Sequence, residues 1–124
     1  MMIGRPRGTS HPVIKMSQIE FDALMKTVRS LTDKNQTNRK WWLFFMVLRE
    51  GKHEIKDILK NFKTDTVPPT LLWPEISAYV KFYNVKGKVF PDTYDAAYYI
   101  FRRARDAARL NSKLTIESVR VRVK

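Results

Sequence analysis

The sequence contains no cysteine and only two histidines, His11 and His53. Disulfide bonds and thiolate metal sites are therefore excluded, and two imidazoles are too few for a histidine-rich zinc site. No apolar run approaches the roughly 18 residues that a membrane-spanning helix needs, and residues 1–5 lack the long apolar region of a signal peptide. We expect a soluble intracellular protein that binds neither metal nor cofactor and does not enter a membrane.

Catalytic motifs are missing as well. The chain has no glycine-rich phosphate loop, no paired catalytic carboxylates and no set of metal ligands. His53 beside Glu54 is the one pair that suggests acid–base chemistry, but no nucleophile or second base lies at a telling distance, so we interpret it as a surface pair. We predict that the protein is not an enzyme and has no catalytic residues.

Acidic residues are scarce: the chain has 12 Asp and Glu but 24 Lys and Arg, which gives a net charge of +12 and a pI near 10.2. A hydrophobic fraction of 44% with 12% aromatic residues is typical of a globular chain, so a folded domain carries this charge. A polyanion is the expected partner class, with nucleic acid favoured over an anionic membrane surface. The length of 124 residues predicts a single domain, over 16–124, after a basic arm at 1–15.

The arm contains prolines, glycines and basic residues but no acid. Such a segment cannot bury enough apolar surface to order itself. Its stretch Gly4-Arg5-Pro6-Arg7-Gly8 resembles the core of an AT-hook, in which arginine enters a narrow, strongly negative minor groove. The alternative is a solvated linker. The functional interpretation makes Arg5 and Arg7 DNA contacts.

Apolar periodicity predicts a compact, mainly α-helical bundle of about five helices with at most a small β-hairpin. Ser17 and Glu20 form a capping box before a helix over 18–31. The apolar run 41–48 fits a helix over 40–49 better than a buried strand, and we assign its aromatic residues to the core rather than to a base-stacking platform. A short helix over 53–59, a hairpin or loop over 61–69, and a helix that follows Trp73-Pro74 and ends near residue 84 complete this part.

The fifth helix, over 94–110, has an apolar face rich in alanine and an outward arginine face. Asp92 or Thr93 caps its start, and Asn111 suits a left-handed stop. Residues 101–124 carry +6 of the total charge of +12. The segment 115–123 fits either a helix or an edge strand. The arginine face consists of Arg102, Arg105 and Arg109 with Arg103 at its flank.

The order of these segments resembles the catalytic domain of tyrosine recombinases, the phage-integrase family, over roughly residues 15–122. Lys63 occupies the position of the family's β-turn lysine, and Arg120 that of the second catalytic arginine. The matching segments are KMSQIEFDAL at 15–24, the apolar run at 41–48, REGKHEIKDIL at 49–59, KTDTVP at 63–68, FPDT at 90–93 and TIESVRV at 115–121.

The departures from the family pattern concern catalysis. The first catalytic arginine falls at His53 or Glu54, and the two histidine positions are Glu117 and Val121. The segment with the nucleophilic tyrosine would follow Lys124. Losing one donor to the developing phosphate charge costs about 100- to 1,000-fold in rate, and without the nucleophile the reaction is lost. We therefore expect a recombinase-like protein that binds double-stranded DNA without cleaving it.

In the family, the helix that matches 93–110 faces DNA, which agrees with the arginine face read from the periodicity. The expected location is the cytoplasm, associated with the nucleoid, or the nucleus in a eukaryote.

Two alternative functions remain. One is an RNA-binding accessory protein that uses Tyr98, Tyr99 or Trp41; the other is an interaction protein that self-associates or regulates an intact recombinase. The predicted nucleic-acid contacts are Arg5, Arg7, Lys63, Arg102, Arg103, Arg105, Arg109, Arg120, Arg122 and Lys124.

Overall fold

A computed structural model describes residues 13–31 and 35–121. The predicted mainly helical fold is confirmed, and within this part of the chain β-structure is limited to two isolated bridges. Four of the predicted contacts, Arg5, Arg7, Arg122 and Lys124, lie outside the described residues. The elements are α1 Gln18–Val28, α2 Asn35–Glu50, α3 Ile55–Asn61, α4 Trp73–Tyr83, α5 Tyr94–Ala107 and a 3₁₀ helix Ile116–Val119.

The start of α1 is fixed by the predicted capping box. Ser17 Oγ accepts from the Glu20 N–H at 3.1 Å, and the Glu20 carboxylate accepts from the Ser17 N–H at 2.8 Å. The apolar face of α1 packs on α5, where Thr27 Oγ1 lies 3.2 Å from the carbonyl oxygen of Ala104. The side chain of Ala104 is small enough to let the two helices come this close.

Helix α2 forms the centre of the core. Phe44 is fully buried, and its ring lies edge-on to those of Trp41, Phe45 and Phe90 at centroid distances of 5.5, 5.1 and 5.8 Å. Edge-to-face contacts of this kind add stabilisation beyond the buried area. The helical, core-forming interpretation of this run is therefore confirmed. The helix begins at Asn35, five residues before the predicted start, because its first turn is polar and leaves no apolar period to detect.

Two arginines tie the C-terminal segment to the end of α2. Arg49 Nη1 donates to the carbonyls of Met16 at 2.8 Å and Val119 at 3.3 Å. Arg120 Nε donates to the carbonyl of Gly51 at 3.2 Å. The segment is a single 3₁₀ turn with Val119 buried, so the edge-strand alternative is not found over residues 115–121.

Glu50 holds the loop that leads into α4. Its carboxylate accepts from Thr70 Oγ1 at 2.5 Å and from the Leu71 N–H at 2.9 Å, and its side chain is only 7% exposed. Burial alone would raise the pKa of Glu50, but the hydrogen bonds from Thr70 and Leu71, together with the charge of Lys52, hold that pKa below its ordinary value. The ionised form therefore stabilises the folded state.

We expect the Glu50→Gln variant to lose about 1–2 kcal/mol of folding free energy at pH 7, because charge-assisted hydrogen bonds become neutral ones. A lowered folded-state pKa gives stability that is present above the ordinary carboxyl pKa and lost as pH falls through the lowered value. Thermal unfolding of both proteins from pH 7 to pH 3.5 checks this. The melting temperatures should differ at pH 7 and converge on acidification, whereas a constant difference would contradict the role of the ionised carboxylate.

Candidate nucleic-acid interface

Helix α5 is fixed to the core at its start. Thr93, one of the two predicted caps, accepts the Ala96 N–H at 3.1 Å. Asp92 instead pairs with Lys40 of α2 at 2.5 Å, in a position where both side chains are largely buried. Phe101 and Ala104 are buried on the inner face. The helix therefore presents its outer face on a rigid support.

The outer face of α5 carries two adjacent exposed arginines, Arg102 and Arg103. The Arg102 guanidinium lies 5.8 Å from the ring centre of Tyr98, and that of Arg103 lies 5.6 Å from the ring centre of Tyr99. Each tyrosine precedes its arginine by four residues, the spacing that places side chains side by side on a helix. Neither arginine forms an ion pair within residues 13–31 and 35–121. Their charge is available to a ligand in solution.

Arg105 does not point outward with the arginine face, contrary to the prediction from the sequence. Its side chain is only 11% exposed, and Nη1 donates to the carbonyls of Ser112 and Leu114, both at 3.1 Å. Its Nε donates to Asp106 at 2.9 Å. The chain folds back after α5 and brings these carbonyls to the guanidinium, which the helical period alone could not predict. Arg105 therefore holds the turn after α5.

Arg109 lies in the turn that ends α5 and does not belong to the arginine face of the helix. Its φ of 58° is left-handed. The Arg109 N–H donates to the Asp106 carbonyl at 3.1 Å and the Leu110 N–H to the Arg105 carbonyl at 3.0 Å, the bond pattern of a Schellman motif. The predicted left-handed stop at Asn111 is wrong, because Asn111 uses its side chain to accept the Lys113 N–H at 2.8 Å. Arg109 is exposed, one residue beyond the helix cap.

Lys63 lies directly opposite Lys88 in an antiparallel bridge. Flanking bonds run from the Thr64 N–H to the Gly87 carbonyl and from the Val89 N–H to the Phe62 carbonyl, both at 2.8 Å. Residues in such a non-hydrogen-bonded pair project to the same side at close range. Both lysines are exposed and neither has an ion pair in the described part of the chain. Like charges placed side by side repel and favour an anion between them.

Sequence reasoning missed Lys88. Its position depends on a bridge between segments 25 residues apart, and no local sequence pattern predicts that pairing. Arg120 differs from the lysines, since it is half-buried and its Nε already bonds to Gly51. The structure thus exposes both Arg102 and Arg103, puts Lys63 beside Lys88, and gives Arg105 and Arg120 contacts within the fold.

His53 takes part in the packing around the loop before α4. Its Nε2 lies 2.7 Å from the carbonyl of Pro69, and its ring is edge-on to that of Phe62 at 5.2 Å. A carbonyl accepts only, so Nε2 carries the proton. In residues 13–31 and 35–121, no three His, Asp or Glu side chains cluster to hold a metal ion. Over the same ranges, no helix has the length and apolar content needed to cross a membrane.

Comparison with protein-family models, with curated proteins and with solved structures finds no match to this chain. The resemblance to tyrosine recombinases therefore stays a prediction from the sequence. The structure defines a helical protein with an exposed basic helix face, and the functional interpretation depends on that surface.

Proposed function

We propose that this protein binds double-stranded DNA, without cleaving it, through the exposed face of α5. The observation that carries the proposal is that Arg102 and Arg103 are both exposed, at consecutive positions of a helix that is fixed to the core at its capped start. Guanidinium groups pair with phosphate in a fork geometry and can also read the edge of guanine. Because the helix is already ordered, binding has to order only the side chains and not the backbone.

The tyrosines strengthen the arginine pair as a phosphate-binding surface. A guanidinium that lies over an aromatic ring has fewer accessible conformations, and the ring does not neutralise its charge. Lys63 and Lys88 supply a second concentration of positive charge, and the net charge of +12 draws any polyanion to the whole molecule. Arg109, exposed just beyond the helix cap, is a further phosphate contact in this proposal.

RNA is the second candidate, because Tyr98 and Tyr99 are 38% and 50% exposed on the same face. Bases splayed out in an RNA loop stack on such rings. Trp41 cannot serve this purpose, since it is buried in the core. The arginines already lie over both tyrosines, so stacking of a base would have to displace them. This favours phosphate contact over base stacking and therefore duplex DNA over an RNA loop.

The test is an anisotropy titration of labelled random-sequence duplex DNA and of a matched RNA hairpin at low and physiological salt. We expect the duplex to bind more tightly than the hairpin, with an affinity that weakens as salt rises. Tighter binding of the hairpin would shift the proposal to RNA. Dissociation constants above about 10⁻⁴ M for both at low salt would overturn it, since ordinary non-specific binding is stronger than that.

A further inference from the structure

A cleft of about 640 Å³ lies between the end of α1, the first half of α2 and the end of α4. Its volume falls in the range of small-ligand sites. Among residues 13–31 and 35–121, its walls combine cations with aromatic rings and include no carboxylate. The lining residues that matter here are Arg29, Arg39, Trp42, Tyr79, Phe82 and Tyr83.

The cationic side of the cleft is built around Trp42. The guanidinium of Arg29 lies 5.7 Å from the centre of the Trp42 ring, and that of Arg39 lies 5.9 Å from it. Both arginines are exposed, and neither forms an ion pair within the ranges 13–31 and 35–121. Two guanidinium groups that lie near one indole, and that have no ion pair in those ranges, supply the donors that a phosphate group accepts.

The aromatic side comes from α4. The rings of Phe82 and Tyr83 lie 4.8 Å apart, and those of Tyr83 and Tyr79 lie 5.3 Å apart. Phe82 is 80% exposed, which is unusual for so large an apolar side chain. Its exposure at the edge of a cationic cleft gives a ligand an accessible flat apolar face. Rings beside a basic groove are how proteins bind unpaired bases without sequence preference.

We infer that this cleft binds an unpaired nucleotide, with its base against Phe82 and its phosphate between Arg29 and Arg39. The ligand is either a segment of single-stranded nucleic acid or a free nucleotide, which share this chemistry. The site uses none of the residues of the α5 face, so its occupancy does not depend on the proposed duplex binding. A protein with both sites would bind a duplex and an unpaired strand through different residues.

The experiment titrates the full chain with a labelled eight-residue oligothymidylate, with thymidine monophosphate as competitor. Phe82→Ala should weaken oligonucleotide binding about 5- to 100-fold, the range for loss of one stacked base. Arg29→Gln/Arg39→Gln should flatten the dependence of log affinity on log salt by about 0.7, for the one phosphate that the two arginines share. Displacement of the oligonucleotide by equimolar monophosphate would identify a nucleotide site; weak competition would identify a strand site.

The matched control is Arg102→Gln/Arg103→Gln, which removes the same charge from α5 and should affect duplex binding far more than oligothymidylate binding. Unchanged oligonucleotide affinity in Phe82→Ala would overturn the cleft inference, since Phe82 is exposed and its removal leaves the core intact. So would an equal loss in the two arginine double variants. Wild-type protein that binds oligothymidylate but shows no duplex binding would contradict the proposed function and leave the cleft inference standing.

Discussion

The Arg102→Gln/Arg103→Gln double variant should bind random-sequence duplex DNA about 10- to 100-fold more weakly than the wild type at 0.1 M salt. Each phosphate contact releases counterions from DNA, which favours binding. The variant loses two such contacts and therefore the counterion release that belongs to both. The slope of log affinity against log salt should also become shallower by about 1.8. Both side chains are exposed and form no ion pair in the described part of the chain, so the variant should keep a melting temperature close to that of the wild type. Anisotropy titration and thermal unfolding measure the two properties.

The control for this variant is Lys26→Gln/Lys81→Gln, which removes the same charge from exposed positions on α1 and α4. It should cost much less affinity, because it changes only the long-range attraction. Equal effects of the two double variants would contradict a defined interface on α5. Arg105 should stay unchanged in such a test, because its bonds to Ser112 and Leu114 would make any loss of binding inseparable from a loss of structure.

Phe44→Ala should lower the free energy of unfolding by about 3–5 kcal/mol, a large fraction of the 5–15 kcal/mol that typical domains have. The Phe44 ring is fully buried and contacts rings from α2 and from the segment before α5, including Phe90. Its removal leaves a cavity that the surrounding rings can fill only in part. Urea denaturation followed by circular dichroism measures the change.

Phe82→Ala is the matched control for Phe44→Ala, because it makes the same chemical change at an exposed position. It should alter the free energy of unfolding by less than about 0.5 kcal/mol. A cost below about 1 kcal/mol for Phe44→Ala, together with weakened nucleic-acid binding, would contradict the core role of the aromatic run at 41–48. It would indicate instead that those rings form a binding surface.

Helix positions followed from local signals. The capping box of Ser17 and Glu20 predicts a helix that starts at Gln18, where the structure has it. The period of apolar residues predicts which faces of the helices are buried. The start of α2 was missed because residues 35–40 are polar and carry no period. The end of α5 differs from the prediction because the sequence favours Asn111 as the left-handed residue, whereas the Schellman bonds place Arg109 in that conformation.

The candidate site could be predicted only in part, because the orientation of a basic side chain depends on what the fold brings near it. Arg102 and Arg103 are exposed as the helical period predicted. Arg105 shares the charge pattern but turns inward, since the chain after α5 supplies two carbonyls. Lys88 became a candidate only through its bridge to Lys63. Residues of three helices form the cleft at Trp42, so no local sequence motif predicts it.

The most direct measurement of duplex binding is the dependence of wild-type affinity on salt, with random-sequence duplex DNA at several salt concentrations. Arg102, Arg103, Arg109 and Lys63 as phosphate contacts predict that log affinity falls linearly with log salt, with a slope of about −3 to −4. A slope near zero, or an affinity weaker than about 10⁻⁴ M at the lowest salt, would contradict the proposal that these basic residues bind DNA.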